Sequence, residues 1–148
     1  MRLRFSNQYG AAPDGGAKTV AGSSRPVTFD GAASVTIQPG TFVVSDPLEW
    51  QAAALSDVAV SLYVPEATGE ATYHEAESTA YISGPGDFTE SVALPVTETT
   101  DARYWLTAVE VVDERPPLAP TVVALGDSIT EGFRSTVDAN HTWPDFRL

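Results

Sequence analysis

The chain has 148 residues, 43% of them hydrophobic and 9% aromatic, which suffices for the core of one ordinary domain and is too apolar for a disordered tail. Twenty acids against eight bases give a net charge of −12, with Lys18 the only lysine, so a basic patch for nucleic acid or an anionic membrane is excluded. No apolar run approaches the ~20 residues that span a bilayer, Met1-Arg2-Leu3-Arg4 leads into no signal-peptide core, and the absence of cysteine removes disulfides and thiolate metal sites.

An acid-rich, lysine-poor surface fits a salty medium or cytoplasm, where screening removes the self-repulsion of such a charge. A GC-rich genome gives the same composition. Localisation and oligomeric state stay open at this level.

Residues 2–6 alternate with Leu3 and Phe5 on one face, and 7–16 reads as a Gly/Pro/Asp loop. Strands are expected at 17–21 and 26–29, and Asp30-Gly31 is a strong turn pair. The segment 34–38 alternates with Val35 and Ile37 inward, and Pro39-Gly40 turns the chain into Phe42-Val43-Val44. Val58, Val60, Leu62 and Val64 give the cleanest alternation, opposite Ala59, Ser61 and Tyr63, and predict a central strand. After a turn at 65–69 come two short strands at 72–74 and 79–83, a loop at Gly84-Pro85-Gly86-Asp87, and a last long strand over 104–112. Short strands recurring every 8 to 12 residues or so predict a mainly β fold, a sandwich or jelly roll over residues 1–113. Residues 114–120, ERPPLAP, form a stiff proline-rich linker to a second unit at 121–148.

That second unit opens on TVVALGDSITEG, residues 121–132. The unbroken apolar run 122–125 suits a strand buried on both faces of a parallel sheet, and it ends in Gly126, where the backbone can pass closely. Asp127 is placed to cap a helix, which puts Ser128 among the free N–H groups of a helix start, a place that suits a nucleophile. Ser and Asp also cap helices with no chemistry attached. The G-x-S-x-G elbow is ruled out because Thr130 stands at its second glycine.

The stretch as a whole resembles the first sequence block of the SGNH hydrolases, the GDSL esterases and lipases, through Gly126, Asp127, Ser128, Ile129, Thr130 and Gly132 after an apolar strand. The resemblance implies that residue 121 begins a flavodoxin-like α/β hydrolase domain. It implies that Ser128 attacks an acyl ester, of a small molecule or a polysaccharide, with its own N–H in the oxyanion hole and Gly126 and Asp127 supporting the loop. A histidine with an aspartate three residues before it, an oxyanion glycine and an oxyanion asparagine would come from later blocks, and no metal or cofactor is implied. Less specifically, Arg2-Leu3-Arg4-Phe5-Ser6-Asn7, Pro26-Val27-Thr28-Phe29, Val43-Val44-Ser45-Asp46-Pro47, Leu62-Tyr63-Val64-Pro65 and Ser83-Gly84-Pro85-Gly86-Asp87 resemble the β-sandwich that precedes the catalytic domain in one branch of that family. In that branch a strand precedes Arg2 and the hydrolase domain continues well past Leu148, so the chain is expected to be a fragment with little activity alone, its 122–125 strand unpartnered and prone to aggregate.

Other candidates read as structural. Asp138-Ala139-Asn140-His141 has the Asp-x-x-His spacing but ends only 13 residues after Ser128, too early for the family's pair. Trp143-Pro144-Asp145 matches the family's continuation, with Trp143 packing and Pro144 opening a helix. His74 reads as an ordinary strand residue with no second metal ligand in view, and Glu75, Glu77 and Asp113-Glu114 read as solvated edges. Trp50, Tyr63, Tyr81 and Trp105 read as core, the alternative being an aromatic platform of a carbohydrate-binding module with a vestigial serine block.

Overall fold

Tyr73–Ser83, free of proline and glycine, supplies the principal strand, and Val96–Tyr104, rich in β-branched residues, supplies its partner. The structure, a computed structural model, describes residues 2–4, 17–51, 57–111 and 123–145. Its strands in chain order are β1 (Arg2–Arg4), β2 (Tyr73–Ser83), β3 (Val96–Tyr104) and β4 (Ala108–Glu110), with one helix, α1 (Ser128–Glu131), and a final 3-10 turn at Trp143–Asp145. The fold is mainly β, in two antiparallel ladders, β1 with β4 and β2 with β3.

In the first ladder Arg2 faces Glu110, Leu3 faces Val109 and Arg4 faces Ala108. In the second, Tyr73, His74 and Glu75 face Tyr104, Arg103 and Ala102 before the register breaks. It resumes with Ala80 opposite Thr100, so residues 76–79 of β2 confront Asp101 alone, a wide bulge. Ala76, Ala80 and Tyr81 on β2 and Ala102 on β3 are buried.

Two sequence expectations are revised here. The strands expected at 72–74 and 79–83 are one strand, with the bulge filling the gap between them. The single strand expected over 104–112 is divided at Trp105, whose φ of 61° throws the chain from the β2–β3 ladder into the β1–β4 ladder. Trp105 N–H donates to the Thr72 carbonyl at 3.1 Å and Leu106 N–H to the Tyr104 carbonyl at 2.8 Å, which fixes that corner.

The segments expected as strands at 17–21, 26–29, 34–38, 42–44 and 58–64 form isolated bridges or none. Pro26, Pro39 and Pro47 punctuate the first part of this region and each withholds a ladder donor. The side-chain pattern nevertheless does its work: Val60 and Leu106 form a buried cluster against which Val27, Phe29 and Leu62 pack. The predicted turns also form. Asp30 (φ 49°) and Gly31 (φ 80°) close a two-residue hairpin in which Phe29 and Ala32 exchange hydrogen bonds of 2.8 and 2.9 Å. The Asp46 carboxylate braces it, accepting from Thr28 Oγ1 at 2.7 Å, Gly31 N–H at 2.8 Å and Asp30 N–H at 3.1 Å. At the Pro39-Gly40 turn, Thr41 N–H donates to the Gln38 carbonyl at 3.1 Å.

The proline-rich segment 114–120 lies outside the described residues. Beyond it, Val123, Ala124 and Leu125 form no strand and are exposed, Leu125 at 96%. Among the described residues of the expected strand, 123–125, none is in a strand: such a strand draws its hydrogen bonds from neighbours on both sides, and no described strand lies beside these residues. No helix among the described residues is long and apolar enough to cross a membrane.

Candidate functional site around Ser128

The local geometry at the serine follows from the residues flanking it. Asp127, with extended backbone, caps α1, its Oδ1 accepting from Ile129 N–H at 3.0 Å, and Ser128 is the first helical residue. Gly126 is required by a close approach, since a Cβ there would lie 2.0 Å from Thr130 Oγ1. Gly132 ends the helix in the left-handed conformation at φ 109°, and its N–H is shared between the Ser128 and Ile129 carbonyls. A Cβ on Gly132 would meet Thr142 at 2.7 Å, so the chain returns onto the helix end, where Trp143 Nε1–H donates to the Thr130 carbonyl. Asp145 closes this return, its Oδ2 accepting from Thr142 N–H and Oγ1 at 2.8 and 2.6 Å.

Each of Gly126, Asp127, Thr130 and Gly132 is thus accounted for by backbone geometry that leaves Ser128 exposed at a helix start. Among the described residues no side chain hydrogen-bonds the Ser128 hydroxyl, so nothing described here acts as its base. Asp138 is otherwise engaged: its Oδ1 accepts from Thr79 N–H and its Oδ2 from Thr79 Oγ1, both at 2.6 Å. Its carboxylate therefore faces β2. Trp143, expected to pack, is exposed at 49% and is tied to the helix end by its Nε1–H bond to the Thr130 carbonyl.

Glu77 corrects the sequence reading: its carboxylate is no solvated edge, because Oε1 accepts from Arg134 N–H at 2.7 Å. Its carbonyl accepts from Asp138 N–H at 3.1 Å. His74 lies 3.3 Å from Glu131 Oε1, in the last residue of α1, with Nδ1 also 2.9 Å from the Glu75 carbonyl. Arg103, across the ladder from His74, donates to Ser78 Oγ at 2.6 Å, and its Nε is buried without a hydrogen-bond partner among the described residues. Burial pushes the Arg103 pKa down from its usual value, and the negative charge of Glu131 works against that shift. Burial, and secondarily Asp138, pushes the Tyr81 phenol up. Sequence reasoning passed over Glu131 and gave Glu77 and Thr79 no partner; the signal was the break in alternation between residues 74 and 79.

The aromatics divide. Tyr81 is buried and belongs to the core, whereas Tyr73, 57% exposed, tilts against Tyr104 at 5.7 Å, and Tyr104 against Trp105 at 5.8 Å. Among the described residues no three His, Cys, Asp or Glu side chains converge as a metal site. No family model, curated protein or solved structure matches the chain.

Proposed function

We propose that the chain carries the nucleophile block of an SGNH-type ester hydrolase, with Ser128 as the attacking group and a β-sandwich as its accessory domain. The observation that carries this reading is the position of Ser128 as the exposed first residue of a helix capped by Asp127, behind a glycine that tolerates no side chain. There the serine N–H would face the oxyanion that forms on an acyl carbonyl, the Ile129 N–H being taken up by the Asp127 cap. The hydroxyl lacks a base among the described residues; under this reading the acid–base pair and the remaining oxyanion donors are those of the family's later blocks, without which a serine retains only a small remnant of the rate. The bond cleaved is an acyl ester of a small molecule or a polysaccharide, by attack, acyl-enzyme formation and hydrolysis.

The test reads the gene downstream of the Leu148 codon in all three frames and expresses the chain with whatever follows. Cleavage of chromogenic short-chain esters, abolished by Ser128→Ala, is the expected result. Absence of any further block, or ester cleavage that survives Ser128→Ala, refutes the proposal.

A second reading, a carbohydrate-binding β module with a vestigial serine block, is favoured by the Tyr73-Tyr104-Trp105 row at the surface corner. Under it, polysaccharide quenches tryptophan fluorescence and Trp105→Ala or Trp50→Ala removes the effect. No change across a panel of sugars rejects it.

A further inference from the structure

A bulge of four residues against one leaves backbone N–H and C=O groups of β2 without ladder partners, and such groups must be satisfied from elsewhere. The segment after α1 supplies that. Thr79 N–H and the Glu77 carbonyl, both inside the bulge, are taken up by the carboxylate and the N–H of Asp138. The pairings advance together along the two chains: Glu131 with His74, Arg134 with Glu77, Asp138 with Thr79. Asn140 Nδ2 adds a hydrogen bond to Asp57 Oδ1 at 3.3 Å. At the first pairing, Glu131 Oε1 approaches His74 Nδ1 at 3.3 Å, and its negative charge also acts on the guanidinium of Arg103, set opposite His74 on the adjacent strand.

The receiving turn is shaped for this contact. Arg134, Asp138 and Asn140 have φ of 69°, 60° and 49°. Asp and Asn tolerate that region, whereas arginine enters it at a cost and stays only where its surroundings hold it. Glu77 holds it, by accepting the Arg134 N–H.

We propose that the β2 bulge is an intramolecular receptor for residues 131–140, and that Glu131, Glu77 and Asp138 act as one cooperative latch fastening the Ser128 helix to the β2–β3 hairpin. The latch is a property of the fold, independent of whether Ser128 reacts.

Amide hydrogen exchange on the full chain tests it without any activity measurement. The amides of Thr79, Arg134 and Asp138 should be protected. Asp138→Ala should speed exchange by about tenfold at Arg134, which Asp138 does not touch, while the amides of the 98–100 rungs stay slow. Thr79→Val keeps the backbone N–H and a strand-forming side chain but removes the hydroxyl, and should speed Arg134 exchange to a smaller extent. If Asp138→Ala unfolds the chain, Thr79→Val carries the test by itself. An Arg134 amide unprotected in the unaltered protein, or unmoved in every variant that folds, would overturn the proposal.

Discussion

Leu106 and Leu125 offer the same chemistry in opposite surroundings, 5% and 96% exposed. Truncating Leu106 to alanine removes three carbons from the cluster with Val60, Val27, Phe29 and Leu62, about 2.4 kcal/mol of transfer free energy at roughly 0.8 kcal/mol per methylene. A residual cavity raises the cost, though partial collapse of a cluster bounded by half-buried neighbours limits it, giving about 3 kcal/mol in all. For a chain of this size that lowers Tm by ~6–12 °C. Leu125→Ala removes the same atoms from solvent-exposed backbone and should change stability by less than about 0.5 kcal/mol. Urea unfolding followed by tryptophan fluorescence, with Trp50 and Trp105 half-buried reporters, measures both. Equal costs for the two variants would mean that residues 123–125 are packed, and a Leu106→Ala cost below ~1 kcal/mol would mean that no working core exists around Val60; either result refutes the reasoning.

Asp46 gives an acid-stability prediction. Its carboxyl is held below the usual carboxylate value chiefly by Thr28, then by Gly31 and Asp30, so its stabilisation is present above the unfolded value of about 4 and is lost as pH falls through the lower folded value. Thermal melts in a descending pH series should show Asp46→Asn with a flatter acid limb; parallel limbs would contradict this. Gly126→Ala should unseat Thr130 and speed exchange of the Ile129 amide, with Thr130→Gly restoring it. Failure of that rescue would show that the close contact is not what forbids a side chain at 126. Finally, the charge of −12 predicts a Tm that climbs from low to molar salt; a salt-independent melt would exclude adaptation to a salty medium.

What the sequence revealed was local. The Asp30-Gly31 and Pro39-Gly40 turns and the Asp127 cap with Ser128 behind it are set by residues adjacent to one another, and each stands where it was expected. What it concealed depends on partners far along the chain. The Val58, Val60, Leu62 and Val64 pattern reported which side chains turn inward at Val60 and Leu62, yet periodicity carries no information on whether a neighbouring backbone is present to pair. The first half of β3, a threonine-rich run exposed on both faces, has no alternation to read, and β-branching was its only sign. At Trp105 an aromatic strand pattern runs straight through a corner, because the pattern does not encode which ladder each half joins. Around Ser128 the helix start was legible from adjacent residues, whereas the attachment of Asp138 to Thr79 spans 59 residues and showed only as a break in alternation before Thr79.

The pairing of β1 with β4 sets an order of events during synthesis. Arg4 finds its partner only when Ala108 exists, 104 residues later, which at ~5–20 residues per second is a wait of about 5–20 seconds. Through that interval the first strand is on the ribosome or free with an open edge, and its closure is among the highest-separation contacts in the fold, a topology that folds on the slow side of milliseconds to seconds. The β2–β3 hairpin, whose strands are separated by residues 84–95, has a far shorter wait and can form first. The nascent chain therefore passes through a stage in which the hairpin can be built while the amino-terminal edge is still seeking its mate, and during that stage the edge is open to pairing with other chains.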